Sequence, residues 1–337
     1  MSQPVIIRDW RQVPDALRGC TLALGNMDGV HLGHLAVLRA AHAARPELPL
    51  AALTFEPHPR EYFRPEDPPF RLTPLPAKAA ALAAAGARVV FALSFDAALA
   101  NMPAEAFVEE ILHQALGARH LACGADFAFG HRRGGDATVL GRLAEARGIG
   151  LTVVPPVTDA QGPISSTRIR RLLQDGYPER ATEKLGRPWE IRGPVVHGDK
   201  LGRVLGWPTA NIWLGGHLEP ARGVYATTVL LADGRELKAV SNIGRRPTLG
   251  GDPQTRLETF IFDFSGDLYG QEIGVRLRHF LREDRKFDGL EPLKLAIAED
   301  ERQAREILAS LDLGPATPDN PAMNRWPIAR IPGPVPL

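Results

Sequence analysis

The sequence predicts two domains of different fold class: an α/β domain with a doubly wound parallel sheet, then a small antiparallel β-barrel with a capping helix. Its 337 residues suffice for two domains, each with its own core. Apolar runs alternate with alanine-rich stretches in the first half, and short β-rich runs fill most of the second. A hydrophobic content of 44% and a charged content of 23% are typical of a globular chain.

The first domain is predicted from the alternation between Val5 and Val154. Runs typical of strands, such as "CTLALG", "LPLAALTF" and "RVVFALSF", are separated by stretches typical of helices, such as "LAVLRAAHAA" and "AKAAALAAAGA". Strands that alternate with helices indicate a parallel sheet covered on both faces, with right-handed connections. We place the first domain at residues 1–183 and a linker near Glu183 to Arg187.

The second domain is predicted at residues 184–312. The runs "WEIRGPVVHG", "GVYATTVLLA", "RELKAVSNIG", "RLETFIFDF" and "QEIGVRLRHFL" read as strands, with turn signals such as "ADGR" between them. Such spacing indicates a small antiparallel barrel, and an amphipathic helix over about Leu290 to Leu311 is expected to cap it. Residues 313–337 are proline-rich without periodicity, which predicts an extended or disordered tail.

Charge and cysteine content restrict the class of protein. A formal net charge of +1 provides no global field for nucleic acid or anionic membrane, so a basic site must be local. Cys20 and Cys123 lie far apart and form no metal-type pair, which favours reduced thiols. The N-terminus lacks an export pattern and no apolar segment reaches about 18 residues. We therefore expect a cytoplasmic protein that binds neither nucleic acid nor membrane; a homo-oligomer is left open.

The segment "LALGNMDGVHLGHLAVLRAA" predicts a phosphate site in the first domain. A strand enters a glycine-rich turn that leads into a helix, and the N–H groups at a helix N-terminus favour bound anions. Glycines in the turn allow the backbone to approach phosphate closely, and two histidines can donate hydrogen bonds to phosphoryl oxygens. The alternative is that the histidines only cap or pack the helix. The residues concerned are Gly25, Gly29, Gly33, His31 and His34.

The segment "GNMDGVHLGH" resembles the HxGH signature of Rossmann-like nucleotidyltransferases, and specifically the bacterial bifunctional riboflavin kinase/FAD synthetase family. "TFEPHPREYF", "CGADFAFGHRRGGD" and "ISSTRIRRLL" resemble that family's following motifs, in the same order. Met27 departs from the family, which commonly has phenylalanine there; because both are large and apolar, we expect altered packing only.

The resemblance implies roles for further residues of the first domain. In that family one segment closes over the phosphates of ATP, and the resemblance implies this role for Ser165, Ser166, Thr167 and Arg168. It also implies that Arg168, His31 and His34 are catalytic residues. Asp28 would lie near the nucleotide, unless it is a turn or N-cap aspartate. Asp126 would lie near the flavin phosphate, with a buried turn aspartate as the alternative. Phe55 and Pro57 would border the flavin, although composition alone indicates a loop after a strand.

The second domain contains "VVHGDKLGRVLGWPTANI" but the chain has no GxxxxGK[ST] motif, so a kinase here needs another architecture. This segment resembles the PTAN signature of riboflavin kinases. The resemblance implies that Thr209 and Asn211 serve Mg²⁺ and the phosphates of ATP and that Glu258 is the general base; the strand pattern alone favours a solvent-facing glutamate. The loop residues assigned to ATP are Gly198, Lys200 and Gly202. Arg285 and Phe287 are assigned to the flavin entrance, although Arg285 could also belong to a solvated run of charged residues.

The predicted function is therefore FAD synthesis in two steps. Riboflavin and ATP give FMN and ADP, and FMN and ATP give FAD and pyrophosphate, with Mg²⁺ as the cofactor. One alternative is another HxGH adenylyltransferase, such as one acting on a pantetheine phosphate. A second is a regulatory protein that binds flavin and nucleotide but has lost one or both activities. Nucleic-acid binding is disfavoured because "STRIRRLL" is one short basic patch.

Overall fold

The computed structural model describes residues 4–198, 202, 205–248 and 251–313. The described chain divides into two compact units, one of residues 4–68 and 73–165 and the other of residues 69–72 and 166–313. Lys200 lies outside the described residues, and so does the predicted proline-rich tail beyond Leu313. None of the helices in the described ranges is long and apolar enough to cross a membrane.

Over its described residues, the first unit contains ten strands and six α-helices, besides three single-turn 3-10 helices. The strands are β1 (Val5–Ile7), β2 (Thr21–Leu24), β3 (Leu50–Glu56), β4 (Val89–Ser94), β5 (His120–Gly124), β6 (Ala128–Phe129), β7 (Gly135–Asp136), β8 (Gly150–Val154), β9 (Thr158–Asp159) and β10 (Gly162–Pro163). The helices are α1 (Leu32–Ala44), α2 (Pro59–Phe63), α3 (Leu75–Ala84), α4 (Ala97–Ala100), α5 (Ala104–Ala106), which continues as a π-helix over Phe107–Ala115, and α6 (Ala137–Glu145).

Six of these strands form one sheet in the order β1-β4-β3-β2-β5-β8, and every neighbouring pair is parallel. Its central strands are buried on both faces, as Leu22 and Ala23 in β2 and Leu121 and Ala122 in β5 show. Continuous burial explains why these strands read as unbroken apolar runs. The predicted doubly wound parallel sheet is confirmed.

The strand order reverses at β2, because β3 pairs with one side of this strand and β5 with the other. In such sheets a crevice forms beyond the carboxyl ends of the two strands at the reversal, and ligands bind there. The loop that begins at Gly25 follows β2, and the turn that contains Asp126 follows β5. The topology therefore brings two of the predicted segments to one crevice.

The second unit is an antiparallel barrel with three described helices. Its strands are β11 (Trp189–Pro194), β12 (Ala210–Trp213), β13 (Gly223–Leu230), β14 (Glu236–Thr248), β15 (Gly251–Ile261) and β16 (Glu272–Glu283). Its helices are α7 (Ser166–Gln174), α8 (Pro178–Leu185) and α9 (Leu290–Leu308). The strand order is β11-β16-β13-β14-β15-β12. Just beyond β11, Val196 N–H donates to the Asn211 carbonyl in β12 over 2.8 Å. This contact brings the two edge strands of the sheet together. The predicted barrel is therefore confirmed.

The two faces of the barrel sheet have different neighbours. Leu257, Thr259 and Ile261 alternate along β15 and are buried, as period-two packing on an interior face requires. The other face packs against α9, where Ala304 and Leu308 join a cluster of buried apolar residues. The capping helix predicted from the sequence is therefore confirmed.

The segment predicted as a linker, Glu183 to Arg187, spans the end of α8 and the turn after it. Gly186 follows α8 with a φ of +75°, and its N–H donates to the Thr182 carbonyl. A left-handed glycine commonly ends a helix in this way because it has no Cβ.

Candidate active sites

The loop between β2 and α1 has an unusual backbone. Met27 and Val30 have φ angles of +51° and +42°, and Gly29 has +87°. Left-handed conformations cost little for glycine but are strained for other residues, and most of all for a β-branched one. Such strain persists only where surrounding contacts enforce it.

One set of contacts fixes the loop at Asn26. The Asn26 carbonyl accepts hydrogen bonds from Thr54 Oγ1 over 2.7 Å and from Lys78 Nζ over 3.1 Å. Lys78 is fully buried and also donates to Thr54 Oγ1 over 3.1 Å. Neither Thr54 nor Lys78 was among the predicted site residues; the available signal was a single charged residue in the otherwise apolar helix α3.

A second set of contacts fixes the loop at Asp28. This side chain is 1% exposed, and its Oδ1 accepts hydrogen bonds from the Thr73 backbone N–H and hydroxyl over 2.9 and 3.3 Å. Thr73 Oγ1 also accepts from Gly29 N–H over 2.8 Å. These contacts support the turn role that the sequence left open for Asp28, and contact with nucleotide stays a prediction.

His31 and His34 meet at the N-terminus of α1. His31 is the N-cap: its Nδ1 accepts from Gly33 N–H over 3.1 Å, and His34 Nδ1 accepts from His31 N–H over 3.3 Å. The rings stack with centroids 3.7 Å apart. Because both Nδ1 atoms act as acceptors, each neutral ring carries its proton on Nε2. In both rings the cap uses Nδ1, and the proton lies on Nε2.

Gly33 packs closely against the ring of His31. A Cβ at this position would lie 3.0 Å from Cε1 and 3.2 Å from Nδ1 of His31. A side chain at this position would therefore require the capping ring to shift by a few tenths of an ångström. Gly25 is less restricted, since its Cβ would meet only the flexible Met27 side chain at 3.4 Å.

The predicted flavin residues of the first unit lie at or just beyond the ends of strands. Phe55 is half-buried in β3, and its ring contacts Phe95 with centroids 5.5 Å apart. Pro57 is exposed just after β3. Asp126 is exposed in the turn after β5, so the alternative of a buried turn aspartate is wrong.

The structure adds exposed aromatic rings that the sequence analysis did not select. Tyr62 and Phe63 both pack edge-on against Phe95, and Phe63 is 63% exposed. Exposed aromatic surface of this kind suits a flat, largely apolar ligand.

The segment from Ser165 to Arg168 divides between the two units. Ser165 ends the first unit, while Ser166, Thr167 and Arg168 form the first turn of α7 in the second. Closure of this segment over bound ATP stays a prediction.

The second unit contains a cavity of about 380 Å³ next to the PTAN segment. It is lined by residues from the start of β12, the end of β15 and the β15–β16 connection: Val195, Pro208, Thr209, Ala210, Thr259, Ile261, Phe264, Gly266, Asp267, Leu268 and Tyr269. The cavity therefore includes Thr209, one of the two residues predicted to serve the metal.

Asn211, the other predicted metal residue, is 4% exposed, and its Nδ2 donates to the Thr209 carbonyl over 3.2 Å. Gly198 packs against this amide so closely that a Cβ would lie 2.6 Å from Nδ2. At Gly202 a Cβ would lie 2.3 Å from the Trp207 carbonyl oxygen. Gly198 and Gly202 therefore let the backbone approach the Asn211 amide and the Trp207 carbonyl more closely than a residue with a Cβ could.

Glu258 lies in β15 directly opposite Asn211 in β12. Its Oε1 accepts hydrogen bonds from Arg256 Nε over 3.1 Å and from Arg256 Nη2 over 2.7 Å. The Glu258 side chain is 19% exposed, so it is not the solvent-facing glutamate that the strand pattern alone favours. Glu258 does not line the cavity, and its role as the general base stays a prediction.

The described residues fit Mg²⁺ bound mainly through phosphate. They contain no group of three or more His, Cys, Asp or Glu side chains that could hold a metal. Magnesium usually keeps several waters and takes only one or two protein oxygens beside substrate phosphates. The Thr209 hydroxyl and the Asn211 amide oxygen supply such a small set.

Arg285 and Phe287 lie between β16 and α9. The Arg285 guanidinium stacks on the Phe287 ring at 4.9 Å, and the Arg282 guanidinium lies 5.6 Å from the same ring. Arg282 is itself held by two hydrogen bonds to Asp300, of 2.8 and 2.7 Å. Arg285 therefore stacks on Phe287. It is also exposed, which agrees with the alternative that it belongs to a solvated run of charged residues.

Comparison with known proteins identifies two enzyme families to which the chain is similar. A family model described as FAD synthetase matches residues 13–168, and one described as riboflavin kinase matches residues 185–308. The chain is 40% identical over 303 residues to the bifunctional riboflavin kinase/FMN adenylyltransferase of Escherichia coli, with 89% of this chain and 96% of that protein covered. It is 40% identical over 310 residues to the Haemophilus influenzae protein of the same name, at 90% and 99% coverage.

A solved structure supports the fold across both units. A protein from Streptococcus pneumoniae, described as a macrolide-efflux protein, has a TM-score of 0.81 and 30% identity, with 90% of this chain and 99% of that chain covered.

Proposed function

The chain belongs to the bifunctional riboflavin kinase/FMN adenylyltransferase family, and we propose that it converts riboflavin to FMN and FMN to FAD. The observation that carries the proposal is that both family models match the chain, FAD synthetase over residues 13–168 and riboflavin kinase over residues 185–308. The candidate residues for the two activities begin with the loop after β2 and with the PTAN segment. We propose the functional boundary at residues 183/184, with the kinase domain ending at 312.

In the adenylyltransferase domain, an FMN phosphate oxygen attacks the α-phosphorus of ATP and pyrophosphate leaves. This chemistry needs positioning and charge stabilisation rather than a protein nucleophile. The Nε2 donors of His31 and His34 would bind phosphoryl oxygens, and Arg168 would neutralise the charge that develops on pyrophosphate. The remaining residues assigned to ATP are Gly25, Asp28, Gly29, Gly33, Ser165, Ser166 and Thr167.

In the kinase domain, the terminal hydroxyl of riboflavin attacks the γ-phosphorus of ATP and ADP leaves. Glu258 would accept the hydroxyl proton, and Arg256 would hold the carboxylate in position. Mg²⁺, when bound, stabilises charge on the phosphates, and Thr209 and Asn211 would hold it. Gly198, Lys200 and Gly202 would border the phosphates.

The flavin is proposed to meet one set of residues in each domain. Phe55, Pro57 and Asp126 would contact it in the adenylyltransferase, and Arg285 and Phe287 at the entrance of the kinase. A cytoplasmic location, a homo-oligomer and the lack of nucleic-acid or membrane partners stay predictions from the sequence.

The test is chromatography of flavins after incubation of the protein with ATP, Mg²⁺ and either riboflavin or FMN. Glu258→Gln should lower FMN formation from riboflavin at least about 100-fold, because loss of a general base typically costs that much, and should leave adenylylation of supplied FMN intact. His31→Ala should give the reverse pattern. Loss of both activities in either folded variant would show that the two sites are not separate.

The alternatives give different results in the same assay. A regulatory protein would bind flavin without forming a product. Another HxGH adenylyltransferase would leave both flavins unchanged and adenylylate a pantetheine phosphate instead.

A further inference from the structure

One motif of the second unit, "SNIG", contains a residue that the proposed mechanism leaves without a role. Asn242 in β14 lies directly opposite Glu258 in β15, and Glu258 lies directly opposite Asn211 in β12. Directly opposed residues of antiparallel strands point to the same face, with Cβ atoms roughly 5 Å apart. Asn211, Glu258 and Asn242 therefore form one polar row across three strands, with the proposed base at its centre.

The amide oxygen of Asn242 is buried, and no donor in the described residues makes a hydrogen bond with it. Buried polar groups in folded proteins nearly always have partners, and an exception points to a group supplied by something else. Leaving such an acceptor unpaired costs free energy that a bound donor would recover. Because Asn242 lies directly opposite Glu258, a substrate hydroxyl close to that carboxylate is a candidate donor.

We propose that Asn242 is a substrate-contacting residue of the kinase, and that its amide oxygen accepts a hydrogen bond from a hydroxyl of the ribityl chain of riboflavin. This inference rests on the proposed kinase function of the second unit. The hydroxyl that Glu258 deprotonates is the terminal one of a chain that carries three more on adjacent carbons. Asn242 is the immediate neighbour of Glu258 in the row and so reaches one of these three.

The inference makes Asn242 a determinant of specificity. A site that binds a substrate hydroxyl with a buried acceptor rejects an analogue without that hydroxyl, because the acceptor is then left unpaired. Asn242 would thus favour a polyhydroxylated flavin over one with an apolar side chain, and it would hold the terminal hydroxyl next to Glu258.

The test compares wild type with Asn242→Leu, which removes the amide at similar size, and Asn242→Ala, which removes it without added bulk. Riboflavin kinase kinetics are measured with riboflavin and with three analogues that each lack the 2′, 3′ or 4′ hydroxyl. We expect both variants to lower kcat/KM for riboflavin about tenfold or more, with KM for ATP unchanged. We also expect wild type to discriminate against one analogue and both variants to lose that discrimination.

Two further measurements separate this role from a structural one. Because the buried oxygen is unpaired without substrate, Asn242→Leu should leave the unfolding temperature of the free protein unchanged or raised. Lys238→Leu is a matched control, since Lys238 lies on the same strand and face and donates to the Ala309 carbonyl instead; its kinetics should equal those of wild type.

Unchanged kinetics for riboflavin in both variants would overturn the inference, and so would discrimination among the analogues that persists without the amide. If wild type itself fails to phosphorylate riboflavin, the proposed kinase function fails instead, and the two failures are thereby distinguished.

Discussion

Lys78 donates its buried ammonium to the Asn26 carbonyl and to the Thr54 hydroxyl, and so ties helix α3 to the loop that would bind phosphate. The left-handed φ angles of Met27 and Val30 need such contacts, since neither residue adopts them readily. Lys78 is therefore a positioning residue for the adenylyltransferase, acting through the backbone of the loop.

We predict that Lys78→Met lowers kcat/KM for adenylylation of FMN about 10- to 100-fold and destabilises the first unit by about 1–3 kcal/mol, because a buried carbonyl loses a charged donor. Steady-state kinetics with varied ATP and FMN measure the first effect. Phosphorylation of riboflavin by the same preparation is the internal control. Equal losses in both activities would indicate general unfolding rather than misplacement of the loop.

The two cysteines are buried, and burial affects their reactivity. Both are unpaired thiols in the structure. Burial raises the pKa of Cys20 to about 12, and burial together with the nearby charge of Asp126 raises the pKa of Cys123 to about 11. Because the thiolate is the reactive form, both side chains stay protonated and inert at neutral pH.

At the scale of elements, the sequence predicts which segments form strands and helices better than it predicts which of these elements lie next to one another in the fold. Unbroken apolar runs mark β2 to β5, and a glycine-rich turn marks the loop before α1. The strand order, however, depends on packing between distant segments, and so do contacts such as Asp28 with Thr73, 45 residues apart. Motifs therefore identified His31 and His34, while the residues that hold their loop required the structure.

A network of charges joins three strands of the barrel. Glu190 in β11 accepts hydrogen bonds from Arg192 over 2.7 and 2.9 Å and from Arg276 in β16 over 2.9 Å. Arg276 also donates to Glu236 in β14 over 2.6 Å. Burial alone would raise the pKa of Glu190, but the charges and hydrogen bonds of Arg276 and Arg192 lower it overall.

We predict that Glu190→Gln destabilises the second unit by about 2 kcal/mol at pH 7. This is below the 3–5 kcal/mol of a fully buried pair, because the Glu190 side chain is 17% exposed. A lowered pKa in the folded state stabilises at pH values above the ordinary glutamate pKa of about 4.3, and this contribution disappears as pH falls through the folded value. Thermal unfolding from pH 7 to pH 3 measures the effect.

The difference in unfolding temperature between wild type and Glu190→Gln should be full near pH 7 and shrink below about pH 4.3. Glu299→Gln is a suitable control because Glu299 pairs with Arg302 on the surface of α9, where ion pairs contribute little. A difference in unfolding temperature that grows as the pH falls would contradict a lowered pKa of Glu190 in the folded state.

At the scale of the whole molecule, the second unit is discontinuous in the chain. Residues 69–72 belong to it although they lie between two helices of the first unit. The Leu72 carbonyl accepts a hydrogen bond from Trp189 Nε1 over 2.8 Å, Leu218 N–H donates to the Arg71 carbonyl over 2.8 Å, and Arg170 Nε donates to the Phe70 carbonyl over 2.9 Å. The sequence could not predict this, because the segment carries no signal of which unit it joins.

We predict that Trp189→Phe in the full chain destabilises the second unit by about 1–2 kcal/mol. The phenyl ring keeps most of the apolar packing of a side chain that is 2% exposed, while the buried Leu72 carbonyl loses its donor. For a unit of this size such a loss lowers the unfolding temperature by a few degrees, which differential scanning calorimetry measures. Trp10→Phe is the control for the substitution itself, since that half-buried ring lies in the first unit and stacks with Arg11. An equal decrease in the two variants would show that the hydrogen bond from Trp189 to Leu72 contributes nothing of its own to the stability of the second unit.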